Sequence, residues 1–252
     1  MMSHETQLRI IPESSTAVLL VHGILGTPHQ FDPILTVIPE DWTMINLLLD
    51  GHGGKVEDFG RSSMKKWEAQ VAECVEKLCA SYKNVLIIAH SMGTLFAIDA
   101  AIAHPKRVKG LFLLSPPLRV GLKPHLFRNA LIVGFGLSYK DDPQIIATRH
   151  AYSMTPDRRV WKYIRWIPRY LELFRKIRST RDKLSLLNTP TKAYLCENDE
   201  MVSIHSDRFL LPCPTVDVAY LSDSTHFTYG EKDAALLRKT FTEFSRKLQK
   251  GT

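Results

Sequence analysis

The chain has 252 residues, a formal net charge of +7, 44% hydrophobic residues and 23% charged residues. This composition excludes a disordered chain, a collagen and a coiled coil. The length fits one α/β domain or one domain with an insertion. The opening residues show no signal peptide, and no apolar run approaches the roughly 20 residues of a membrane span. No C-x-x-C pair occurs among the four cysteines, so we expect reduced thiols, a cytoplasmic location, and neither a metal site nor a cofactor.

The apolar run TAVLLVHG predicts the first buried strand, and Thr27 and Pro28 behind it have the residue types of a helix N-cap and first turn. A second strand follows in WTMINLLLDGHG. Residues 63–82 then predict a helix because apolar side chains recur at steps of three and four, and Cys74 on that stripe is expected to be a small core residue.

The alternation continues with the strand NVLIIAH, a helix over residues 92–104 that Pro105 ends, and the strand VKGLFLLS. It returns after an interruption with TKAYLCEND, TVDVAYLSD and a final amphipathic helix. Alternating strands and helices are typical of an α/β fold in which helices cover both faces of a mostly parallel, doubly wound sheet.

The interruption lies between Pro116 and about residue 187, where no strand pattern occurs. From Pro117 to Lys183 there are fifteen Lys and Arg residues against five Asp and Glu residues, so the basic excess is local. A helical stripe is predicted there, which Pro168 must kink or divide into two helices; its members are Val160, Ile164, Ile167, Leu171 and Phe174. We therefore predict a core domain formed by residues 1–116 and 184–252, with a basic helical cap inserted at 117–183.

Ser91 lies in the sequence AHSMG, at the seam between the strand NVLIIAH and the helix behind it. A sharp turn between a strand and a helix needs small neighbours, here Ala89 and Gly93, and lifts the serine hydroxyl clear of the backbone at a helix N-terminus. This is the pattern of a nucleophile elbow, G-x-S-x-G, with alanine in the first glycine position. The alternative is an ordinary serine N-cap.

A nucleophilic serine needs a histidine base and a carboxylate, which in this pattern follow in the order Ser, acid, His. The loop after the strand TKAYLC offers three carboxylates, Glu197, Asp199 and Glu200. Of the two later histidines, His205 falls in a predicted helix. His226 follows the last strand, at the sheet edge where ligand sites of such folds gather, and is therefore predicted to be the base.

The oxyanion formed during attack on a carbonyl group needs hydrogen-bond donors. Met92, directly after the nucleophile, offers one backbone N–H group. The second is expected from the glycine-containing loop VHGILGTP, from Ile24 or less favourably Leu25. We predict that Gly23, Leu25 and His90 contact the substrate.

Five segments together resemble the α/β-hydrolase fold superfamily, most closely its small bacterial carboxylesterases and monoacylglycerol lipases: LLVHGILGTP, LLDGHGG, IIAHSMGTLFA, CENDEMVS and DSTHF. The resemblance implies Ser91 as nucleophile, Asp199 as acid and His226 as base, with the N–H groups of Ile24 and Met92 as the oxyanion hole. The sequence departs from the family pattern at Ala89 and Cys196, where glycine is common.

These residues predict a serine hydrolase that cleaves short-chain or medium-chain acyl esters or monoacylglycerols through an acyl-enzyme. The alternatives are a thioesterase acting on acyl-CoA or an acyl carrier, and a non-catalytic homologue that binds a ligand in the same pocket. The basic cap is explained either by a solvated cationic helix face or by contact with an anionic lipid surface. We expect no nucleic-acid partner, and the sequence predicts no particular oligomeric state.

Overall fold

The computed structural model describes residues 4–123, 131–137, 145–146, 149 and 152–250. Seven strands form one sheet in the order β1-β3-β2-β4-β5-β6-β7. The strands are β1 (Gln7–Arg9), β2 (Thr16–Val21), β3 (Thr43–Leu47), β4 (Asn84–His90), β5 (Val108–Leu114), β6 (Thr191–Cys196) and β7 (Val216–Leu221). β1 pairs antiparallel with β3, and every other neighbouring pair is parallel. The six strands predicted from apolar runs are confirmed; β1, a short polar edge strand, carries no such signal.

Helices connect the strands as the alternation predicts. The α-helices with both ends in the described residues are α1 (Asp32–Leu35), α2 (Val56–Arg61), α3 (Met64–Ser81), α4 (Met92–Ala103), α5 (Ile167–Lys183), α6 (Asp207–Leu210) and α7 (Glu231–Lys250), and residues 131–134 are helical as well. Thr27 caps a short 3-10 helix, Pro28–Phe31, rather than an α-helix, and Ser63 caps α3 by accepting the N–H of Lys66. Cys74 is only half-buried, at the edge of the core.

The sheet has a hydrophobic core on each face. Leu19 and Val21 of β2 pack on one side with the apolar faces of α3 and α4. Val18 and Leu20 point to the other side and pack with residues of α1 and α7. This division follows from the period of two along a strand and produces the doubly wound arrangement.

Between β5 and β6 the described residues form no strand. A 3-10 helix, Val160–Trp166, continues directly into α5, and Pro168 lies in the first turn of α5, so the prediction of two helices is confirmed. The cap over 117–183 as a separate unit stays a prediction. Among the described residues, no helix has both the length and the apolar character to cross a bilayer.

The residues of the predicted stripe are not the ones that pack against the core. Trp166, Leu173 and Ile177 are buried against the core. The five residues of the predicted stripe are exposed instead. Periodicity identified an apolar face correctly, but these helices carry two apolar faces, and periodicity alone cannot decide which one meets the core.

Candidate active site

Ser91 stands between the end of β4 and the start of α4, with φ 49° and ψ −123°. A non-glycine residue in this region is strained, and the strain persists because the surrounding structure holds it. Ala89 is fully buried between neighbouring strands. At Gly93 a β-carbon would lie 2.1 Å from the carbonyl oxygen of Val21. The small neighbours of Ser91 are therefore needed because strand and helix pass too closely for larger side chains.

The structure brings the three predicted side chains into one hydrogen-bonded chain. Nε2 of His226 lies 3.1 Å from Oγ of Ser91, and Nδ1 of His226 lies 2.8 Å from Oδ2 of Asp199. Because an ionised carboxylate can only accept, the Nδ1–H group donates to Asp199 and Nε2 is left to accept the hydroxyl proton of Ser91. The three residues follow β4, β6 and β7, whose carboxyl ends meet at one edge of the sheet.

Asp199 is held as a carboxylate. Its other oxygen, Oδ1, accepts the backbone N–H groups of Met201 and Val202 at 2.8 and 2.7 Å. Burial by itself raises the pKa of Asp199, but the charge of His226, the hydrogen bond from its ring and the two backbone donors outweigh burial and lower the pKa below its ordinary value. Asp199 can therefore orient the imidazole ring and stabilise its positive charge when the ring takes a proton.

Two further carboxylates fix the loop that carries His226. Oε2 of buried Glu200 accepts the backbone N–H of His226 at 2.9 Å. Oδ2 of buried Asp233, in α7, accepts the N–H of Asp223 and the hydroxyl of Ser224. Of the three carboxylates considered from the sequence, only Asp199 touches the imidazole. Nothing in the sequence indicated the roles of Glu200 and Asp233, because a carboxylate that accepts hydrogen bonds from backbone N–H groups needs no particular spacing in the sequence.

The loop after β2 presents one unpaired amide beside the serine. The N–H of Leu25 donates to Nε2 of His52 at 3.1 Å, which removes Leu25 as an oxyanion donor. Neither the N–H of Ile24 nor that of Met92 has a hydrogen-bond partner among the described residues. A β-carbon at Gly23 would lie 2.8 Å from Cβ of Ser91, so glycine allows this loop to pass directly over the nucleophile.

Two buried histidines hold the same loop in place. Nδ1–H of His22 donates to the carbonyl of Gly23, and Nε2 of His22 accepts the N–H of Leu49 at 3.1 Å. Burial, followed by the neighbouring His52, lowers the pKa of His22 well below its usual value. Burial also lowers the pKa of His52 to about 4, although its hydrogen bonds to the carbonyls of Asp50 and Leu49 partly oppose this shift. Both rings are therefore neutral at pH 7, and each can accept a hydrogen bond from a backbone N–H group.

His90, predicted to contact substrate, is buried, and its Nε2 lies 3.1 Å from the carbonyl oxygen of His226. Its Nδ1 has no partner among the described residues. Burial and then the nearby His226 lower the pKa of His90 well below its usual value. The backbone N–H of Ser153 donates to the carbonyl of Leu25, so a segment between β5 and β6 lies directly against the loop over the nucleophile.

The comparisons with known proteins agree with this architecture. The thermostable monoacylglycerol lipase of Bacillus sp. (strain H-257) is 26% identical over 193 residues, which cover 73% of this chain and 71% of that protein. A structure from work on LipS and LipT, two metagenome-derived lipolytic enzymes, has a TM-score of 0.74 and 19% identity, covering 97% of this chain and 98% of that one. The thioesterase domain from the curacin biosynthetic pathway has a TM-score of 0.60 and 18% identity, covering 96% of this chain and 100% of the other.

The two structural likenesses establish the fold alone, because their sequence identities are low and fold does not determine chemistry. Membership of a family rests on the sequence model of that family, which spans most of the chain, from residue 18 to residue 239. The match includes the serine, the carboxylate and the histidine that the structure joins. The chain belongs to the Alpha/beta hydrolase family.

Proposed function

We propose that the protein is a serine hydrolase that cleaves carboxylic esters through an acyl-enzyme on Ser91. The observation that carries this proposal is the hydrogen-bonded chain from Asp199 through His226 to Ser91, with contacts of 2.8 and 3.1 Å. The unpaired N–H groups of Ile24 and Met92 support it, because two donors beside a nucleophile suit a developing oxyanion.

In the proposed reaction, Oγ of Ser91 bonds to the ester carbonyl carbon while its proton moves to Nε2 of His226. The carbonyl oxygen becomes an anion and accepts the N–H groups of Ile24 and Met92. The intermediate then collapses, the carbon–oxygen bond to the alcohol breaks, and the alcohol leaves with the proton from Nε2. A water molecule attacks the acyl-enzyme, gives a proton to His226, and releases the carboxylic acid and the free serine.

We propose short-chain or medium-chain acyl esters, including monoacylglycerols, as substrates. This assignment is supported by the similarity to a monoacylglycerol lipase and by the fold shared with lipolytic enzymes. Gly23, Leu25 and His90 are proposed to line the site, and residues 117–183 to cover it as a cap. The hydrogen bond from the N–H of Ser153 to the carbonyl of Leu25 supports such a cover, since it places this segment against the loop over the nucleophile.

The principal alternative is a thioesterase that acts on acyl-CoA or an acyl carrier. The basic excess of residues 117–183 favours this alternative, since carriers of that kind bear phosphate groups. Turnover of a p-nitrophenyl ester and of an acyl-CoA of equal chain length separates the two. We expect the ester to give the higher kcat/KM. A strong preference for acyl-CoA that weakens as salt is added would reverse the assignment.

Labelling by a fluorophosphonate probe tests the proposed nucleophile directly. We expect the wild-type protein to be labelled and to lose ester hydrolysis in parallel, and the Ser91→Ala variant to remain unlabelled. A folded wild-type protein that resists the probe would instead be a non-catalytic homologue that binds a ligand in the same pocket. Circular dichroism of both proteins controls for folding.

A further inference from the structure

The two helices between residues 160 and 183 expose a continuous row of large apolar side chains, here called the apolar stripe. Its members are exposed as follows: Val160 59%, Trp161 63%, Ile164 63%, Ile167 57%, Leu171 50% and Phe174 47%. Single exposed apolar residues are ordinary on protein surfaces, whereas contiguous ones mark interaction sites. The apolar stripe therefore needs a partner.

Helix geometry aligns these side chains. In the 3-10 helix, Trp161, Ile164 and Ile167 are three residues apart and lie in one row. In α5, Ile167, Leu171 and Phe174 follow at steps of four and three and extend the row along one side. The row is about 20 Å long from the rises of the two helix types.

The stripe does not provide the packing that holds these helices on the core. The opposite side of the same helices provides the packing, through Trp166, Leu173 and Ile177. Lys176 also forms ion pairs with Asp99 of α4 and Glu68 of α3, which stabilise the packing of α5. The helices are thus held firmly while their outer face stays in water.

The exposed charged residues along the stripe are mostly arginines, and one exposed carboxylate, Asp182, follows one turn after Arg178. Arg158, Arg165, Arg175 and Arg178 are exposed and make no ion pair with any residue that the structure describes. The other carboxylates in this stretch are only half-exposed and already paired: Asp157 with Arg159 and Lys162, and Glu172 with Arg169. The exposed surface from residue 158 to residue 179 therefore combines large apolar side chains with uncompensated positive charge.

This combination fits the surface of an anionic lipid bilayer. Apolar side chains of an interfacial helix enter the boundary between headgroups and acyl chains, while arginines beside them meet anionic headgroups. A symmetric contact with a second copy of the chain would instead bring these four arginines together, with Asp182 as the one exposed carboxylate among the described residues 157–183 to pair with them. Charge complementarity thus favours lipid over self-association.

We propose that the apolar stripe and its four arginines form a docking surface for anionic lipid bilayers. The further step, that lipid esters reach Ser91 from the docked surface, rests on the proposed function. Docking itself does not depend on the proposed function, since the stripe lies outside the residues proposed for catalysis. Ser153, five residues before Arg158 in the chain, donates its backbone N–H to the carbonyl of Leu25, which connects this surface to the loop over the nucleophile.

Cosedimentation of the Ser91→Ala protein with vesicles tests docking without hydrolysis. We expect strong binding to vesicles of phosphatidylcholine mixed with phosphatidylglycerol, weak binding to phosphatidylcholine alone, and loss of binding as salt is raised. Replacing Trp161, Ile164 and Leu171 together by serine should weaken binding by about tenfold or more. The matched control, Leu211→Ser, removes an equally exposed side chain elsewhere and should leave binding unchanged.

Charge is tested by Arg175→Glu with Arg178→Glu, against Lys65→Glu with Lys247→Glu as the charge-matched control on other helices. We expect only the arginine variant to lose its preference for anionic vesicles. Unchanged turnover of a water-soluble short-chain ester, measured with Ser91 intact, shows that the variants are folded. If the protein binds vesicles but hydrolyses no ester, the docking proposal is supported and only the proposed delivery of lipid esters to Ser91 is contradicted.

Three results would overturn the proposal. Full vesicle binding by the serine variant would show that the stripe is not the docking surface. Equal binding to both vesicle types would remove the role of the arginines. A dimer in analytical ultracentrifugation that the serine variant dissociates would assign the stripe to a second copy of the chain.

Discussion

His52 should make the stability of this protein depend on pH in a way that can be calculated. The ring is buried and neutral, accepts the N–H of Leu25, and has its pKa lowered from 6.5 to about 4, mainly by burial. Folding therefore favours the neutral ring, and the unfolded chain binds a proton more readily than the folded protein. The stabilising contribution is complete above the unfolded pKa and is lost as pH falls from about 6.5 through about 4.

The size of the effect follows from the two pKa values. Between about pH 7 and pH 5, the unfolded chain gains a proton at this position while the folded protein does not, which costs roughly 2 kcal/mol of stability. The variant His52→Gln keeps an oxygen that can accept the Leu25 amide but cannot titrate. Wild-type protein should therefore lose about 2 kcal/mol more than His52→Gln over this pH interval.

Urea unfolding at a series of pH values measures the effect, with tryptophan fluorescence as the signal because Trp67 packs against His52. Comparing changes between pH values removes the constant cost of the substitution and the contribution of His90, which both proteins share. His205→Gln, the same substitution at an exposed histidine, is the matched control. Parallel profiles for wild type and His52→Gln would refute the reasoning.

Three substitutions at the elbow and the proposed triad have separate expected outcomes. Ser91→Gly should lower turnover by about 10⁶-fold, yet raise the free energy of unfolding by about 1 kcal/mol, since glycine tolerates a φ of 49°; a less stable variant would argue against strain. Asp199→Asn should lower kcat by about 10⁴-fold in steady-state kinetics, because the amide favours the wrong imidazole tautomer, and a change in KM alone would contradict this role. Gly93→Ala should destabilise by more than about 3 kcal/mol in urea unfolding, because its β-carbon would meet the carbonyl of Val21. Gly134→Ala, whose β-carbon has ordinary space, should cost little by comparison.

The fold was predictable because the strands of a doubly wound sheet are continuous apolar runs and their connecting helices have a clear period. The short strand β1 escaped prediction since it is polar and lies at an edge, where pairing rather than burial stabilises it. The packed face of α5 could not be chosen from the sequence. Both faces of that helix carry apolar residues, and only the position of α3 and α4 decides which face is buried.

The candidate site was predictable as far as its residues occupy strand ends and follow a fixed chain order. That logic selected Ser91 and His226, and the resemblance added Asp199. The sequence ranked Ile24 above Leu25 as the second donor, but the physical reason is tertiary, since the distant His52 accepts the amide of Leu25 and leaves that of Ile24 unpaired.

The sequence by itself determined the alternation of strands and helices, the elbow around the serine, and the residue types that can form a proton relay. The tertiary structure decided which carboxylate meets the imidazole, which amide is left unpaired, and which apolar face remains in water. The physical reason is the range of the interactions. Periodicity and turn chemistry act between residues a few positions apart, whereas the contact between residues 91 and 226 exists only after the parallel strands align their carboxyl ends.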